Sequence, residues 1–479
     1  MSATEFSTNP QIVTPDKQPQ PRNNIHRTPS GSLFRVIWRW HFYAGVFIGF
    51  LVIVMAVTGG IYLLQNEIEE IAYAHLQRVT PSPTRVSYQQ QVDAATQAVK
   101  ESFPDHSPQQ LYVDSVPHRS TKIFFRGEPG PPFIDVFVNP HDGQVLGMTR
   151  SDQGLRWLFP FLLTIHRGMI GGTAGRIIVE LTACWTIILV ITGLCLWWPR
   201  NWRQVAGVWT LRRQAKTYTL LRDLHVLTGL YLSPFIVLIA ATGLWYTIFM
   251  GDYGQHIANC LEQGKPIFEG RQKGNRPRPE KRVASSESEP AANLDDQSLL
   301  PLEEFVTIGQ QRFPGKTISV SLRSQPANQI DIGAINPPNT PGPLFFTSLK
   351  FNRQDGTEIP AKKAVQKTLV QQWGNWNYPL HIGTILGMPS KIAWLIAVLS
   401  LVFLPVTGLW MWWQRRPAGS WGLPRRQNLR LSWWLIGTIG LLGILLPMAG
   451  LSIMAIATGD WLLQFLLRRF RKRPSPIPE

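Results

Sequence analysis

The chain has 479 residues, 44% of them hydrophobic and only 16% charged, with a net charge of +17. The apolar residues gather into runs of the ~20 residues needed to cross a hydrocarbon core of ~30 Å, which excludes a soluble globular enzyme and predicts a mainly α membrane protein. The basic residues flank those runs, as the positive-inside rule requires, and form no groove-lining stripe, so nucleic-acid binding is excluded.

Residues 1–34 are polar and read as a disordered cytoplasmic N-terminus, unlike a cleaved signal peptide. A first span at 35–65 then acts as an uncleaved anchor. An external segment, 66–176, follows. Within it the stretch from Tyr88 to Phe103 is helix-like, KIFFRG and FIDVFVNPHDGQVLG are strand-like, and Asp142-Gly143 marks a turn. The second span is predicted at 177–198, a basic cytoplasmic loop at 199–224 and the third span at 225–250. The second external segment, 251–390, repeats the helix-like and strand-like order in LEEFVTIGQQRF, ISVSLRS and PLFFTSLKFNRQDGTEI, with a flexible insert at 264–298. A fourth span at 391–413, a cytoplasmic loop at 414–431, a fifth span at 432–458 and a basic tail at 459–479 complete the chain. Five spans put Arg468, Arg469, Arg471, Lys472 and Arg473 outside, against the charge rule, unless Pro447 breaks the last segment.

The spans come in matched pairs. His41, Gly45 and Thr58-Gly59 recur as His225, Gly229 and Thr242-Gly243, every landmark moved along the chain by the same amount. His166, Thr192-Gly193 and Trp197-Trp198 recur in the same way, at a constant displacement of their own, as His381, Thr407-Gly408 and Trp412-Trp413. The expected architecture is therefore a helical bundle of about five transmembrane helices from two duplicated halves, each half bearing one small α+β external module. Four histidines at matched places in or beside apolar helices suggest paired axial ligands of haem, since ionisable groups at membrane depth are costly and usually functional.

The order of span, external module, span ending TG-x-x-x-WW, the same again, and a terminal LLPMAGLS segment resembles the PepSY-associated transmembrane family of bacterial inner-membrane proteins. The TG-x-x-x-WW ends and the NPHDGQVLG strand carry the resemblance, which covers about Arg35 to Leu467. It implies PepSY-like external modules. It further implies an activity found in some members, the haem b-dependent reduction of a ferric siderophore or other iron chelate. Both modules would lie in the periplasm, with the N-terminus cytoplasmic.

Haem between helices needs two imidazoles and small residues beside them, and His41 with Gly45 and Gly49, like His225 with Gly229 and Ser233, lines one helix face at i, i+4 and i+8. The same residues also read as a small-xxx-small packing face with an interfacial histidine. His41 and His225 lie at the cytoplasmic starts of outward-running spans, and His166 and His381 on the external side. The pairs are therefore His41 with His225 and His166 with His381, giving two non-covalent, bis-histidine haem b groups, one toward each leaflet. The alternative for the external pair is that each histidine orders a glycine-rich turn at the headgroups. Arg39, Arg222, Arg167, Arg176 and Lys391 are candidate propionate partners, and equally plain topology determinants.

Three cysteines, Cys184, Cys195 and Cys260, form no disulfide framework, CxxC metal site or covalent haem motif. The remaining histidines are His26, His75, His106, His118, His141 and His256, of which His75, just beyond Glu67, Glu69 and Glu70, reads as solvated, with contact to a ferric chelate as the alternative. No catalytic residue is identified, and no HExxH, Walker A or strand-linked GxGxxG motif is present. Electrons would therefore come from outside the chain, from quinol or a cytoplasmic reductase. Two further readings stand beside the conduit: a membrane protein whose modules bind peptides or restrain a peptidase, and a permease-like component for chelated iron.

Overall fold

The computed structural model describes residues 30–127, 130–199, 201–264, 299–323, 326, 328–360, 368–424 and 433–471. The expected N-terminal disorder, almost all of the flexible insert and the end of the basic tail lie outside the described residues.

The chain opens with α1 (Ser30–Leu63), α2 (Gln65–Ala72), α3 (Ala74–Gln77) and α4 (Tyr88–Lys100). Four strands follow, β1 (His106–Val113), β2 (Thr121–Gly127), β3 (Gly130–Val138) and β4 (Val145–Arg150), and then α5 (Gly154–Gly168) and α6 (Gly172–Trp197). The second arm comprises α7 (Thr217–Leu244), α8 (Phe249–Gln263), α9 (Leu302–Arg312), β5 (Thr317–Ser321), β6 (Gln329–Ile335), β7 (Phe346–Asn352), β8 (Glu358–Ile359), α10 (Leu369–His381) and α11 (Met388–Arg415). The last pair is α12 (Trp433–Leu445) and α13 (Pro447–Arg471).

Among the described residues four helices, α1, α6, α7 and α11, are long and apolar enough to cross a membrane. Phe47 and Phe50 are 72% and 68% exposed and Leu399 59%, so their outward faces are apolar where a soluble bundle would be polar. α1 packs against α6 and α11, and α7 packs against the same two, so the four form a ring in which α1 and α7 stand diagonally opposed. Polar side chains such as Thr58, Thr242, Thr407 and Ser400 are buried inside the ring.

The expected fifth span is not a single helix. The backbone breaks at Leu446, because Pro447 has no N–H to continue the α12 ladder. α12, at 13 residues, extends only about 20 Å and is too short to cross alone. The two expected external modules are joined into one α+β part. All eight strands form one antiparallel sheet in the order β4-β3-β2-β1-β5-β6-β7-β8, closed at its centre by pairs such as Leu111 with Val320 and Val113 with Ile318. Each arm would otherwise leave an edge strand unpaired, a liability that this junction removes.

Strand alternation places Leu111, Ile123, Phe125, Ile134, Val136, Ile318, Val320 and Ile332 on one face, where α4 and α9 cover them. α4 starts at a capping box, in which Ser87 accepts from the Gln90 N–H and the Gln90 side chain from the Ser87 N–H. The Asp142-Gly143 and Asp355-Gly356 turns close the β3–β4 and β7–β8 hairpins with glycine at φ +78° and +69°, where a side chain would be strained.

A buried clamp seats the sheet on the bundle. Lys391, at the start of α11 and 3% exposed, donates to Glu67 Oε1 and Oε2 of α2 at 2.7 and 2.8 Å and to Asn339 Oδ1 at 2.9 Å. Asn339, in the β6–β7 loop, donates to Glu67 Oε1 at 2.8 Å. The same loop is tied down by Gly342 N–H to Ile385 O at 2.9 Å and Leu344 N–H to Asn375 O at 2.7 Å.

Burial opposes the charge of Glu67, but the hydrogen bonds from Lys391 and Asn339 outweigh it and hold the carboxyl below its ordinary pKa. A carboxyl whose folded pKa is lowered stabilises the fold above its unfolded pKa, and the contribution is lost as pH falls through the folded value. Glu67→Gln leaves Lys391 buried without a countercharge and is expected to cost about 3 kcal/mol at neutral pH. Thermal unfolding of both proteins across a pH series should show that difference shrinking below the ordinary carboxylate range.

Candidate functional site

The bundle interior holds two imidazole pairs. His41 of α1 and His225 of α7 face each other across the ring with centroids 6.5 Å apart and planes at 87°. His166 and His381 meet with centroids 6.4 Å apart and planes at 47°. The pairs expected from topology are thus the pairs brought together. The second pair is not carried on loops: His166 lies in the last turn of α5 and His381 ends α10, two helices that descend from the sheet against α1 and α7. We call them the sheet-side pair and the first the far-side pair.

Each imidazole sits in a socket made by a Thr-Gly dipeptide of a neighbouring helix. His41 Nδ1 lies 2.9 Å from Thr192 Oγ1 of α6, and His225 Nδ1 3.0 Å from Thr407 Oγ1 of α11. His166 Nδ1 lies 3.4 Å from Thr58 Oγ1 and 3.0 Å from Met55 O on α1. His381 Nδ1 lies 3.2 Å from Thr242 Oγ1 and 3.1 Å from Ile239 O on α7. The following glycine admits the ring edge. A Cβ at Gly59 would come within 2.6 Å of His166 Cε1, at Gly243 2.9 Å from His381 Cε1, at Gly193 3.3 Å from His41 Cε1 and at Gly408 3.6 Å from His225 Cε1.

These eight socket residues were not assigned a role from the sequence, although the signal was there. Each of the four paired histidines is followed by a Thr-Gly at a fixed offset, one offset shared by His41 and His225 and a longer one shared by His166 and His381. The offsets conceal the pairing, because the Thr-Gly that follows each histidine on the chain serves a different one.

The glycines expected beside the far-side pair divide in use. A Cβ at Gly45 would meet nothing within 4 Å and borders open space, whereas one at Gly229 would be in ordinary contact with Leu404 Cδ2 at 3.7 Å. Gly49 instead packs on Pro405, its Cβ position 3.0 Å from Pro405 Cβ, and serves helix contact. Of the expected basic partners, Lys391 is committed to Glu67, and Arg222 is half exposed with Asp223 3.9 Å away. Arg39 lies over the Tyr43 ring at 5.7 Å. Tyr246 lies tilted beside His381, ring centroids 5.7 Å apart, with the Asn377 side chain as its hydroxyl's neighbour.

The other histidines have separate settings. His106 Nε2 pairs with Pro132 O at 2.8 Å, His141 Nδ1 with Thr84 O at 2.8 Å, and His256 Nε2 lies 3.7 Å from Cys260 Sγ. His75 and His118 are exposed, and His26 lies outside the described residues. Among the described residues, no group of three or more His, Cys, Asp or Glu side chains is placed to hold a metal ion.

Alanine substitution tests the sockets with opposite signs. Gly408→Ala has room and removes a helix-interior glycine, so it is expected to be neutral or stabilising by up to about 1 kcal/mol. Gly59→Ala drives a methyl group into His166 and is expected to cost about 1–3 kcal/mol. Thermal unfolding of the two variants in detergent measures the difference.

A family model described as PepSY-associated TM region matches residues 38–415. No curated protein matches the chain.

Proposed function

The chain belongs to the PepSY-associated transmembrane family, and from that premise and its two imidazole pairs we propose that it is a di-haem electron conduit reducing an iron chelate on the sheet side of the membrane. The observation that carries the reading is the separation within each pair. A metal–imidazole bond of about 2 Å on each side, with roughly 1 Å from ring nitrogen to ring centre, puts the centroids of two imidazoles that share one metal ion about 6 Å apart. Both pairs have that spacing, at 6.5 and 6.4 Å.

The donor set fits haem b. Two imidazoles complete an iron whose remaining positions are filled by a porphyrin, and no cysteine stands at a covalent attachment motif. Open space beside Gly45 suits a flat group lying against the helix backbone. When bound, such a group supplies one-electron carriage.

The chain's own residues then do three things. The four histidines would hold the two groups through their ring nitrogens, the Thr-Gly sockets hold their rings, and the apolar outer faces of the bundle keep water and ions from the interior. From His41 to Thr58 on α1, and from His225 to Thr242 on α7, the helix rises roughly 26 Å, a distance that suits one level toward each leaflet. Basic residues flank the far-side ends, so we assign those ends to the cytoplasm of a bacterial inner membrane and the sheet to the periplasm. The substrate is a ferric siderophore or similar hard-oxygen chelate, since reduction weakens oxygen ligation of iron. The electrons enter from quinol or a cytoplasmic reductase.

Absorption spectroscopy of the protein purified in detergent tests the reading. The expected outcome is a low-spin, reducible Soret and α-band spectrum at two haems per chain. His41→Ala or His225→Ala should remove one haem and spare the other, and His166→Ala or His381→Ala the reverse. A colourless protein that takes up no added haem would overturn the proposal and return the sheet to a binding role.

A further inference from the structure

We propose that Thr58, Thr192, Thr242 and Thr407 are positioning residues that fix the tautomer and the ring plane of the four imidazoles, and that they hold the two levels in electronically unlike geometries. The inference rests on the haem reading above.

It starts from a count of hydrogens. Each of these threonines donates its single hydroxyl hydrogen into its own helix: Thr58 to Val54 O at 2.7 Å, Thr192 to Ile188 O at 2.7 Å, Thr242 to Leu238 O at 2.6 Å and Thr407 to Phe403 O at 2.9 Å. Weaker contacts go to the carbonyls three residues back. A hydroxyl has one hydrogen, so toward the imidazole each threonine oxygen is an acceptor only. At the sheet-side pair the nearer neighbours of Nδ1, Met55 O at 3.0 Å and Ile239 O at 3.1 Å, are carbonyls and can only accept, as the threonine oxygens beside them do. All four Nδ1 atoms therefore carry the hydrogen, and all four Nε2 atoms keep a free lone pair. That tautomer binds metal through Nε2, and a hydrogen-bonded Nδ1–H makes the ring a stronger donor.

The same sockets fix rotation. With Nδ1 held by threonine and Cε1 seated against glycine, the plane of each ring is set by the helix that carries the Thr-Gly. The far-side planes cross at 87° and the sheet-side planes at 47°. An imidazole donates π density into the iron d orbital that lies perpendicular to the ring plane. Crossed rings feed two different orbitals and leave them close in energy, whereas rings turned toward a common plane feed one and split the pair. The far-side iron(III) should accordingly be the more magnetically anisotropic of the two.

Low-temperature EPR of the oxidised full-length protein, with redox titration in parallel, tests this. Two distinct low-spin signals are expected, one strongly anisotropic. Thr192→Val or Thr407→Val should shift only that signal and raise the midpoint potential of that level. Thr58→Val or Thr242→Val should shift only the other signal and raise that level's potential by less, because Met55 O or Ile239 O still accepts from Nδ1. Thr→Ser at each position should restore the wild-type signal and potential, and the unshifted level in each valine variant reports that the bundle is folded. Two haems whose signals and potentials ignore the valine substitutions would overturn the inference while leaving the conduit standing, as would a wild type with two identical signals. A wild type without haem would overturn the conduit itself.

Discussion

The interior of this bundle is governed by the cost of leaving a polar group unpaired in hydrocarbon. Four imidazoles enter that interior, and each has two ring nitrogens to satisfy. The structure meets that demand at Nδ1 of each ring with Thr-Gly dipeptides built into the facing helices and, for His166 and His381, with a backbone carbonyl beside them. Threonine suits the task because its own hydrogen is absorbed by the helix that carries it, which turns a hydroxyl into a fixed acceptor. Glycine must follow, because any side chain at Gly59 or Gly243 would occupy the volume of the ring.

Around that interior, buried ion pairs and caps fix how the pieces seat. Lys391 with Glu67 and Asn339 joins the bundle, α2 and the sheet at one point. Glu180, fully buried in α6, accepts the Phe249 and Met250 N–H groups at 2.9 and 2.8 Å and so supplies the carboxylate cap for α8. On the far side Asp223 takes both Nε and Nη2 of Arg212, at 2.8 and 2.6 Å, which draws the loop before α7 onto the helix. Each is a charged group retained at depth with a specific partner, and each lies between separate elements of the chain.

Sequence patterns exposed the parts of this design that repeat and hid the parts that join. The two constant displacements pointed to His41 with His225 and His166 with His381, because the spacing of spans and charged loops is written along the chain. The Asp-Gly turns and the break at Pro447 were legible for the same reason, since glycine and proline act locally. The β1–β5 junction was not, because strand pairing between one arm and the other leaves no local mark. Nor was the helical delivery of His166 and His381, where Gly168, Gly171 and Gly172 in one arm and Gly383 and Gly387 in the other suggested loops. Those glycines serve the bends that follow α5 and α10, while the helices themselves run through Pro160 and Pro379. The role of Thr-Gly stayed hidden because the dipeptide serves a histidine of another helix.

α1 and α7 each contribute an imidazole at one level, His41 or His225, and a socket at the other, Thr58 or Thr242. The stretch between makes about 4.7 helical turns, and both features keep their facing only while that stretch keeps its length and winding. Inserting or deleting a single residue within it would swing one end by about 100° relative to the other. The two levels are therefore keyed to a common pair of shafts, and the chain between them can drift in side-chain identity far more freely than in number.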